Sequence, residues 1–387
     1  MIIRKIVFNI LALVFNRIPR NKHLWLTGKV ASWDYINDPP AFFDNSKYFF
    51  LYMVHQTDEK VYWITSSEKE YELLKSMNLP VIRFQSIKGI YLTLRAKYFF
   101  HHYGTDQIDH RLQYGSIQIN FWHAMPFKKM RFSIVPRVDC HKRFLSDSIE
   151  YALSSSEFLT DTVMTEMYAL PKKRILDFGF PRQDIFKLDK GECKEFCVKY
   201  SRNLLKYIEL SEKFESVLLY MPTWRDDDPD YFTKLGIDYK RLSEELKKIG
   251  GVLFIKLHPL TRNVKLGDYD NIIQIDNAVD IYPLLRYVNY LITDYSSICY
   301  DYLLLDKEMI FIPYDKEKYL SMRGIYFDYD SVTPGVKYYS FDEFISNISN
   351  LYLLDYSKER YELKKKFFDD YNYDACERTY QYFKQKG

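Results

Sequence analysis

Short apolar runs, rich in β-branched and aromatic residues, alternate with longer helix-like stretches along most of this chain. The first series comprises Val61–Thr65, Pro80–Phe84, Tyr98–His101 and Ile117–Trp122, and the second comprises Val217–Met221, Val252–Leu257, Tyr290–Thr293 and Met309–Pro313. Strand-like runs separated by helices are typical of βαβ units, in which parallel strands are joined by crossover helices. We therefore predict an α/β fold with two doubly wound, Rossmann-like domains facing a central cleft.

The predicted domain boundary lies in the charged, helix-like stretch from Leu188 to Phe214, which separates the two series of strands. A chain of 387 residues, 47% of them hydrophobic, can bury the cores of two domains. We expect one domain over residues 21–190 and another over residues 191–387. The last helical run, Tyr356–Gln385, is free to cross back to the first domain.

Positive charge is concentrated near the start of the sequence. The formal net charge is +3, and the first 20 residues hold four basic residues and no acidic one. A nucleic-acid-binding protein spreads Lys and Arg over a groove or face, so this distribution argues against nucleic acid as a partner. It indicates a local anionic surface instead.

The segment from Ile2 to Ile18 is mostly apolar, but its longest uninterrupted stretch is too short to cross roughly 30 Å of hydrocarbon. On a helix, its polar residues form one narrow stripe opposite an apolar face, which is typical of a helix lying in the membrane interface. A helix packed on the domain and a secretory signal peptide are the alternatives, and the signal peptide lacks a small-residue cleavage site. We predict a membrane-surface helix over residues 1–20, on the cytoplasmic face of the cell membrane.

No metal site or cofactor is predicted. The five cysteines are an odd number, and Cys193 and Cys197 lack the second pair that a zinc site needs, so a reducing cytoplasm is expected. Asp226, Asp227 and Asp228 form a possible carboxylate cluster. Neighbouring side chains on an extended chain point in opposite directions and Pro229 favours a turn, so a solvated loop is the preferred interpretation.

Polar residues directly follow four of the predicted strands. The sequences are Trp122-His123-Ala124-Met125-Pro126, Pro222-Thr223-Trp224-Arg225-Asp226, Lys256-Leu257-His258-Pro259 and Thr293-Asp294-Tyr295-Ser296-Ser297. Ligands of open α/β sheets bind at the carboxyl ends of strands, so these residues are candidates for chemistry. His123 and His258 end strands in different domains and are candidates for proton transfer. His101, His102, His110 and His141 are interpreted as structural.

The run Leu291–Asp301 combines a strand end with the start of a helical pattern at Ser296 and Ser297. Unpaired backbone N–H groups at a helix start favour a phosphate, although either serine could serve only as an N-cap. The 13 glycines contain no dinucleotide-binding or Walker-type fingerprint.

Taken in order, these motifs resemble the CDP-glycerol glycerophosphotransferase family of teichoic acid and capsule synthesis. The resemblance rests on the histidine motif at 121–123, Gly179-Phe180-Pro181-Arg182, the motif at 221–226, the second histidine motif at 257–259, and the motif at 293–297 with Asp301-Tyr302. Ala124 stands where the family usually has glycine, which affects the acceptor side. The resemblance implies a GT-B type fold, a CDP-glycerol or related CDP-polyol donor, a lipid-linked saccharide acceptor and release of CMP.

The resemblance also implies roles for individual residues. His123 would act as base on the acceptor hydroxyl in the domain over residues 21–190, and His258 would assist at the phosphates in the donor-binding domain. The implied substrate-binding residues are Thr223, Trp224, Arg225, Asp226, Thr293, Asp294, Ser296, Ser297, Asp301, Gly179 and Arg182. Gly179 and Arg182 could instead only shape a turn, and Asp294 and Asp301 could instead cap a helix.

Three alternatives stay open at this point. A glycosyltransferase of the same architecture would transfer a sugar from a nucleotide sugar, and fold alone does not separate the two reactions. A silent scaffold would dock envelope enzymes at the membrane. Within the family, the length of the chain favours a primase-like enzyme that adds one or a few polyol phosphates over a polymerase.

Overall fold

The computed structural model describes residues 14–15, 17–29, 42–102, 112–123, 125–134, 149–258, 261, 264 and 266–386. The chain divides into two compact units. Unit 1 comprises Met1–His123, Met130–Ile185 and Phe368–Gly387, and unit 2 comprises Ala124–Lys129 and Phe186–Phe367. The main division therefore falls between Ile185 and Phe186, five residues before the boundary expected from the sequence.

Unit 1 contains a parallel sheet of seven strands in the order β3-β2-β1-β4-β5-β6-β7. The strands are β1 (Asn21–Lys29), β2 (Lys60–Thr65), β3 (Val81–Arg83), β4 (Ala96–His101), β5 (Ile117–Asn120), β6 (Tyr151–Ser154) and β7 (Ile175–Asp177), and the first helices are α1 (Asp44–Gln56), α2 (Glu68–Ser76) and α3 (Ile87–Arg95). Shorter helical turns follow at Arg131–Ser133, Glu157–Leu159, Thr160–Met164, Thr165–Tyr168 and Lys172–Arg174. Ser67 and Ser86 cap α2 and α3 by accepting hydrogen bonds from first-turn N–H groups.

Unit 2 contains a parallel sheet of six strands in the order β10-β9-β8-β11-β12-β13. The strands are β8 (Ser216–Tyr220), β9 (Gly251–Ile255), β10 (Ile272–Gln274), β11 (Tyr290–Thr293), β12 (Glu308–Phe311) and β13 (Val336–Lys337). The helices are α4 (Lys190–Tyr200), α5 (Leu205–Ser211), α6 (Tyr239–Lys248), α7 (Tyr282–Leu285), α8 (Ile298–Leu303), α9 (Lys316–Met322), α10 (Phe341–Asn347) and α11 (Ser357–Phe368). Every residue of β9 is buried, as expected for a strand covered on both faces.

The two parallel sheets confirm the predicted α/β class, and all eight predicted strands are present. Five further strands were not singled out from the sequence, namely β1, β6, β7, β10 and β13. Three of these have only two or three residues, which is too short for a hydrophobic period to be recognised.

The last helical run is two helices. Asp369 and Tyr373 adopt left-handed backbone conformations, with φ of 47° and 56°, and these residues separate α11 from α12 (Ala375–Lys386). Helix α12 belongs to unit 1, where Phe383 packs 6.1 Å from Trp25, measured between ring centroids. Trp25 in turn stacks on Tyr98 of β4 at 4.1 Å, so aromatic rings fix α12 on the sheet.

The predicted membrane-surface helix falls mostly on residues outside the described part of the chain. Arg20, at the end of that segment, is bonded to unit 1: its guanidinium donates to the carbonyls of Thr93 at 2.9 Å and Leu112 at 3.2 Å. Among the helices that the structure describes, none is both long enough and apolar enough to cross a bilayer.

Candidate active site

Both sheets have a topological switch point, at which the strand order reverses direction. It lies between β1 and β4 in unit 1 and between β8 and β11 in unit 2. The carboxyl ends of the strands beside such a point form the usual ligand crevice of a doubly wound sheet. In unit 2 the segments that follow β8, β11 and β12 carry three linked charged residues, Arg225, Asp294 and Asp315.

Arg225 is held between two carboxylates. Its Nε donates to Asp315 Oδ2 at 2.8 Å, and one terminal nitrogen donates to both Asp315 Oδ1 and Asp294 Oδ2 at 2.9 Å. The other terminal nitrogen donates to the Thr223 carbonyl at 2.7 Å. The Arg225 side chain is 5% exposed and that of Asp294 is fully buried. Most donors of this guanidinium are therefore occupied by the protein itself.

Asp294 connects the ends of β8 and β11. Its Oδ1 accepts hydrogen bonds from the backbone N–H of Thr223 at 2.8 Å and of Tyr295 at 2.5 Å, while its Oδ2 accepts from Arg225. The Asp294 carbonyl accepts from the Tyr329 hydroxyl at 2.9 Å. A buried carboxylate with this many donors is rigidly placed, so Asp294 shapes the switch point of unit 2.

Aromatic rings surround the Arg225 guanidinium. Tyr319 lies 4.7 Å from it, Tyr295 5.1 Å and Tyr231 5.4 Å, measured to the ring centroids. Burial first, and the carboxylates of Asp315 and Asp294 next, raise the pKa of Tyr295. A cavity of 240 Å³ opens beside this cluster and is lined by Trp224, Arg225, Asp226, Asp227, Asp228, Tyr231, Lys234, Tyr314, Asp315, Lys318, Tyr319, Met322 and Arg323.

His258 follows β9 and stacks on Trp224, with 5.3 Å between ring centroids and 30° between ring planes. Partial burial, followed by the nearby positive charge of Lys128, lowers the pKa of the imidazole below 6.5. At neutral pH the ring is therefore mostly uncharged. An uncharged imidazole can donate or accept a hydrogen bond but supplies little positive charge.

The remaining predicted residues of unit 2 differ in accessibility. Ser296 and Ser297 are partly exposed at the start of α8, and the Ser297 side chain forms no capping bond. Asp301 is buried and accepts from the Tyr282 hydroxyl at 3.2 Å. The Thr293 hydroxyl is buried and donates to the Met221 carbonyl at 2.7 Å. Ser296 Oγ accepts a long hydrogen bond from the Ile298 N–H, at 3.5 Å. Both serine hydroxyls are accessible to a ligand, whereas Thr293 and Asp301 are occupied in the interior.

The acidic loop is held by basic residues. Asp226 pairs with Arg323, Asp227 with Lys318 at 2.7 Å, and Asp228 with Lys234 at 2.6 Å. Asp226 and Asp227 are exposed. Within the described ranges, no three His, Cys, Asp or Glu side chains are placed to hold a metal ion together.

In unit 1, His123 follows β5 and lies against the end of β4. Its Nδ1 is 3.1 Å from the His102 carbonyl, which fixes the proton on Nδ1 and leaves Nε2 as the acceptor. Burial is the largest influence on the imidazole; it lowers the pKa below 6.5 although the Asp44 carboxylate acts in the opposite direction. An imidazole that is neutral at pH 7, with a defined acceptor nitrogen, has the properties of a general base.

A buried ion pair supports the backbone around His123. The Arg182 guanidinium, 1% exposed, donates to Asp44 Oδ1 at 2.8 Å. Next to it, Asn45 donates to the Trp122 carbonyl at 2.7 Å and accepts from the Arg182 N–H at 3.0 Å. Arg182 is therefore placed to hold the His123 segment, and its side chain is enclosed by protein.

Gly179 has a structural constraint of its own. Its φ is 81°, and a Cβ atom there would lie 2.2 Å from the Tyr371 ring. Only glycine fits this turn. The structure thus divides the predicted residues: His123, Gly179 and Arg182 belong to unit 1, and all others belong to unit 2.

Sequence reasoning missed Asp315, Asp44 and Lys128. Asp315 follows the predicted strand Met309–Pro313 and meets the same strand-end criterion as the other motifs. Lys128 lies five residues after His123 and two residues beyond the end of the motif at 122–126. Asp44 had no comparable signal, because its partner Arg182 is 138 residues away in the sequence.

Three comparisons with known proteins bear on this site. The family profile described as CDP-Glycerol:Poly(glycerophosphate) glycerophosphotransferase matches residues 21–382. The chain is 26% identical over 336 residues to the teichoic acid poly(glycerol phosphate) polymerase of Bacillus subtilis (strain 168), covering 81% of this chain and 42% of that protein. It is 26% identical over 309 residues to the teichoic acid glycerol-phosphate transferase of Staphylococcus aureus (strain NCTC 8325 / PS 47), covering 76% of each.

The chain spans only 32% to 42% of the length of three related polymerases. A solved structure of a variant of the wall teichoic acid polymerase TagF superposes with a TM-score of 0.76 at 20% identity, covering 99% of this chain and 95% of that one. At this level of identity the likeness establishes the fold, which is of the GT-B type.

Proposed function

Since the chain belongs to the CDP-glycerol:poly(glycerophosphate) glycerophosphotransferase family, we propose that it transfers glycerol phosphate from CDP-glycerol to a hydroxyl of a lipid-linked saccharide, with release of CMP. The observation that carries this proposal is the pair of strand-end histidines. His123 in unit 1 and His258 in unit 2 each follow a strand of a parallel sheet, and each has a pKa lowered by burial. The product would contribute to a cell envelope polymer, either a teichoic acid or a capsule polymer.

The proposed reaction is a displacement at the β-phosphorus of the donor. The acceptor oxygen forms a bond to that phosphorus while the bond to the oxygen of CMP breaks, and CMP leaves with the electron pair. His123 Nε2 takes the proton of the acceptor hydroxyl, because Nδ1 is directed at the His102 carbonyl. His258 donates a hydrogen bond to a phosphate oxygen, and the accessible hydroxyls of Ser296 and Ser297 bind the same group.

Arg225 and Asp294 have a different role in this proposal from the one expected from the sequence. Because the Arg225 donors are bonded to Asp294, Asp315 and Thr223, the guanidinium positions the strand-end segments. The backbone groups and side chains that it positions would contact the donor. Trp224 holds the His258 ring by stacking, so it also acts indirectly.

The acceptor and the location are proposed to be at the membrane surface. A lipid-linked saccharide presents its hydroxyl close to the bilayer, and the basic, apolar segment over residues 1–20 has the composition of an interfacial helix. This would place a peripheral enzyme on the cytoplasmic face of the cell membrane.

The test is a product analysis with a labelled donor. The protein is incubated with CDP-glycerol labelled in the β-phosphate and a lipid-linked saccharide, with CDP-ribitol and a nucleotide sugar as donors in parallel reactions, and the products are weighed by mass spectrometry. Label in the lipid product together with CMP is expected. A lipid that gains sugar from a nucleotide sugar would instead establish a glycosyltransferase, and no CMP from either donor would favour a scaffold. The number of units added tests the primase-like prediction against the polymerase alternative.

A further inference from the structure

The diphosphate of a CDP-polyol carries two negative charges, and a phosphotransfer site must offset them. The predicted candidates in unit 2 supply little net positive charge. Arg225 contributes one positive charge against two carboxylates, Asp294 and Asp315. His258 is mostly neutral at pH 7 because its pKa is lowered. A further cation beside these groups would offset the charge that they leave uncompensated.

Lys128 lies beside them. It belongs to the short segment Ala124–Lys129, which follows His123 directly in the chain but is part of unit 2. Backbone contacts hold this segment in place: Lys128 forms an antiparallel bridge with Ile325, the Phe127 carbonyl accepts from the Tyr326 N–H at 3.1 Å, and the Lys129 N–H donates to the Gly324 carbonyl at 2.8 Å. The position of Lys128 is thus fixed by the fold of unit 2.

The Lys128 ammonium is near the candidate donor site and is partly exposed. Its Nζ lies 5.4 Å from the centroid of the Tyr319 ring, and the Arg225 guanidinium lies 4.7 Å from the same centroid. In the part of the chain that the structure describes, no carboxylate lies within salt-bridge distance of this Nζ. By contrast, the nearby surface cations Arg323 and Lys318 are paired with Asp226 and Asp227.

Several charged or titratable groups face Lys128 from the surrounding elements. They are Arg225 after β8, His258 after β9, Asp294 after β11, Cys299 in α8, and Tyr319 and Arg323 in and after α9. Burial is the largest influence and lowers the pKa of Lys128 to about 8, with Arg323 and Arg225 acting in the same direction and Asp294 opposing them. Of the others, Cys299 and Tyr319 have raised pKa values and His258 a lowered one.

We infer that Lys128 binds the diphosphate of the activated donor and supplies the positive charge that Arg225 and His258 do not. This inference rests on the proposed function and adds to it a binding residue outside the strand-end motifs of unit 2. A lysine ammonium is a compact charge with three donors, suited to an anion whose charge shifts as the bond to CMP breaks. The partly covered position strengthens its attraction to that anion, since electrostatic interactions weaken as water access increases.

The experiment measures donor binding and turnover in Lys128→Met, with Lys129→Met as the matched control. Lys129 is the next residue, carries the same charge and is exposed. By calorimetric titration, Lys128→Met should bind CDP-glycerol about 10- to 100-fold more weakly than the wild type, as expected for losing a charged hydrogen-bond donor. Binding of CMP, which lacks the β-phosphate, should change less, and Lys129→Met should bind both ligands within about 3-fold of the wild type. Thermal unfolding of each variant reports on its fold.

A pH series tests the inference without relying on Lys128→Met. Wild-type affinity for CDP-glycerol should fall as the pH rises through about 8, because the free ammonium loses its proton there. Lys128→Arg keeps its charge at that pH, so its affinity should stay level to a higher pH. Failure of the wild type to bind CDP-glycerol would overturn the proposed function together with this inference. Two results would overturn the inference but not the proposed function. One is that folded Lys128→Met binds CDP-glycerol as tightly as the wild type. The other is that Lys128→Arg shows the same dependence of affinity on pH as the wild type.

Discussion

The Arg225 guanidinium and the Asp294 carboxylate form a buried ion pair at 2.9 Å that joins the segments following two neighbouring strands, β8 and β11. The two residues are 69 positions apart in the sequence. The pair lies at the switch point of the unit 2 sheet, where a donor is proposed to bind. It gives the strand-end motifs a fixed geometry before any ligand arrives, and fixed dipoles need no reorganisation during the reaction.

Replacing Arg225 by Met should destabilise the protein by about 3–5 kcal/mol, because Asp294 would be left as an unpaired buried charge. Urea unfolding measures the change. Arg241→Met is the control: Arg241 pairs with Asp342 at the surface, and its loss should cost less than about 1 kcal/mol. Equal stabilities of the two variants would show that the Arg225 pair does not organise the site.

His123→Ala and His258→Ala should each lower turnover by about 10²-fold or more. The free energy of unfolding should stay nearly unchanged in both variants. Steady-state kinetics with CDP-glycerol as donor provides the measurement. Normal rates in both variants would contradict the two-histidine mechanism.

The pH dependence follows from the lowered pKa of His123. A general base must be unprotonated, and an imidazole with a lowered pKa loses its proton at a lower pH than usual. We therefore expect kcat/KM to stay level as the pH falls through 6.5 and to decline only below that value. A decline centred above pH 6.5 would mean that a different group limits the rate.

Replacing Asp184 by Ala should destabilise unit 1 by about 1–3 kcal/mol. Its carboxylate accepts from the N–H groups of Ala375 at 3.0 Å and Cys376 at 2.8 Å, at the start of α12, and from the Tyr371 hydroxyl at 2.7 Å. Without it these donors lose their partner. Asp184→Asn keeps one acceptor oxygen and should therefore lose less stability than Asp184→Ala. Hydrogen exchange should show increased opening of α12 in both variants. Unaltered exchange in α12 would argue against this anchor.

EDTA should leave activity largely intact, because the predicted mechanism uses histidines and hydrogen-bond donors and the acidic loop is paired with basic side chains. The assay is CMP release with and without chelator. Complete loss of activity, restored by magnesium, would instead assign Asp226, Asp227 and Asp228 to a metal-bound diphosphate.

Deleting residues 1–18 should release the protein from anionic vesicles while preserving turnover on a soluble acceptor analogue. Arg20 is kept because it bonds to the carbonyls of Thr93 and Leu112 in unit 1. Vesicle co-sedimentation measures binding, which should also fall with added salt in the full chain. Undiminished binding after the deletion would favour a helix packed on the protein.

The sequence by itself determined the fold class and much of the candidate site, because both depend on local patterns. A strand such as β11 is recognisable from four adjacent apolar or β-branched residues, and the polar residues that follow it are adjacent in the chain. The carboxyl ends of parallel strands lie at one edge of a sheet, so the sequence alone predicts that Thr223, His258 and Asp294 lie at the same edge.

Only the tertiary structure decided which charges are available for a ligand. Arg225 looks like a phosphate-binding residue in the sequence, but Asp315, 90 residues away, pairs with it. Lys128 lies only five residues after His123 in the sequence, but the fold places it in unit 2 and His123 in unit 1. Ion pairing and burial depend on which strand ends become neighbours. The order of strands in the sheet fixes those neighbours. That order depends on packing over the whole chain and cannot be read from a local pattern of hydrophobic residues.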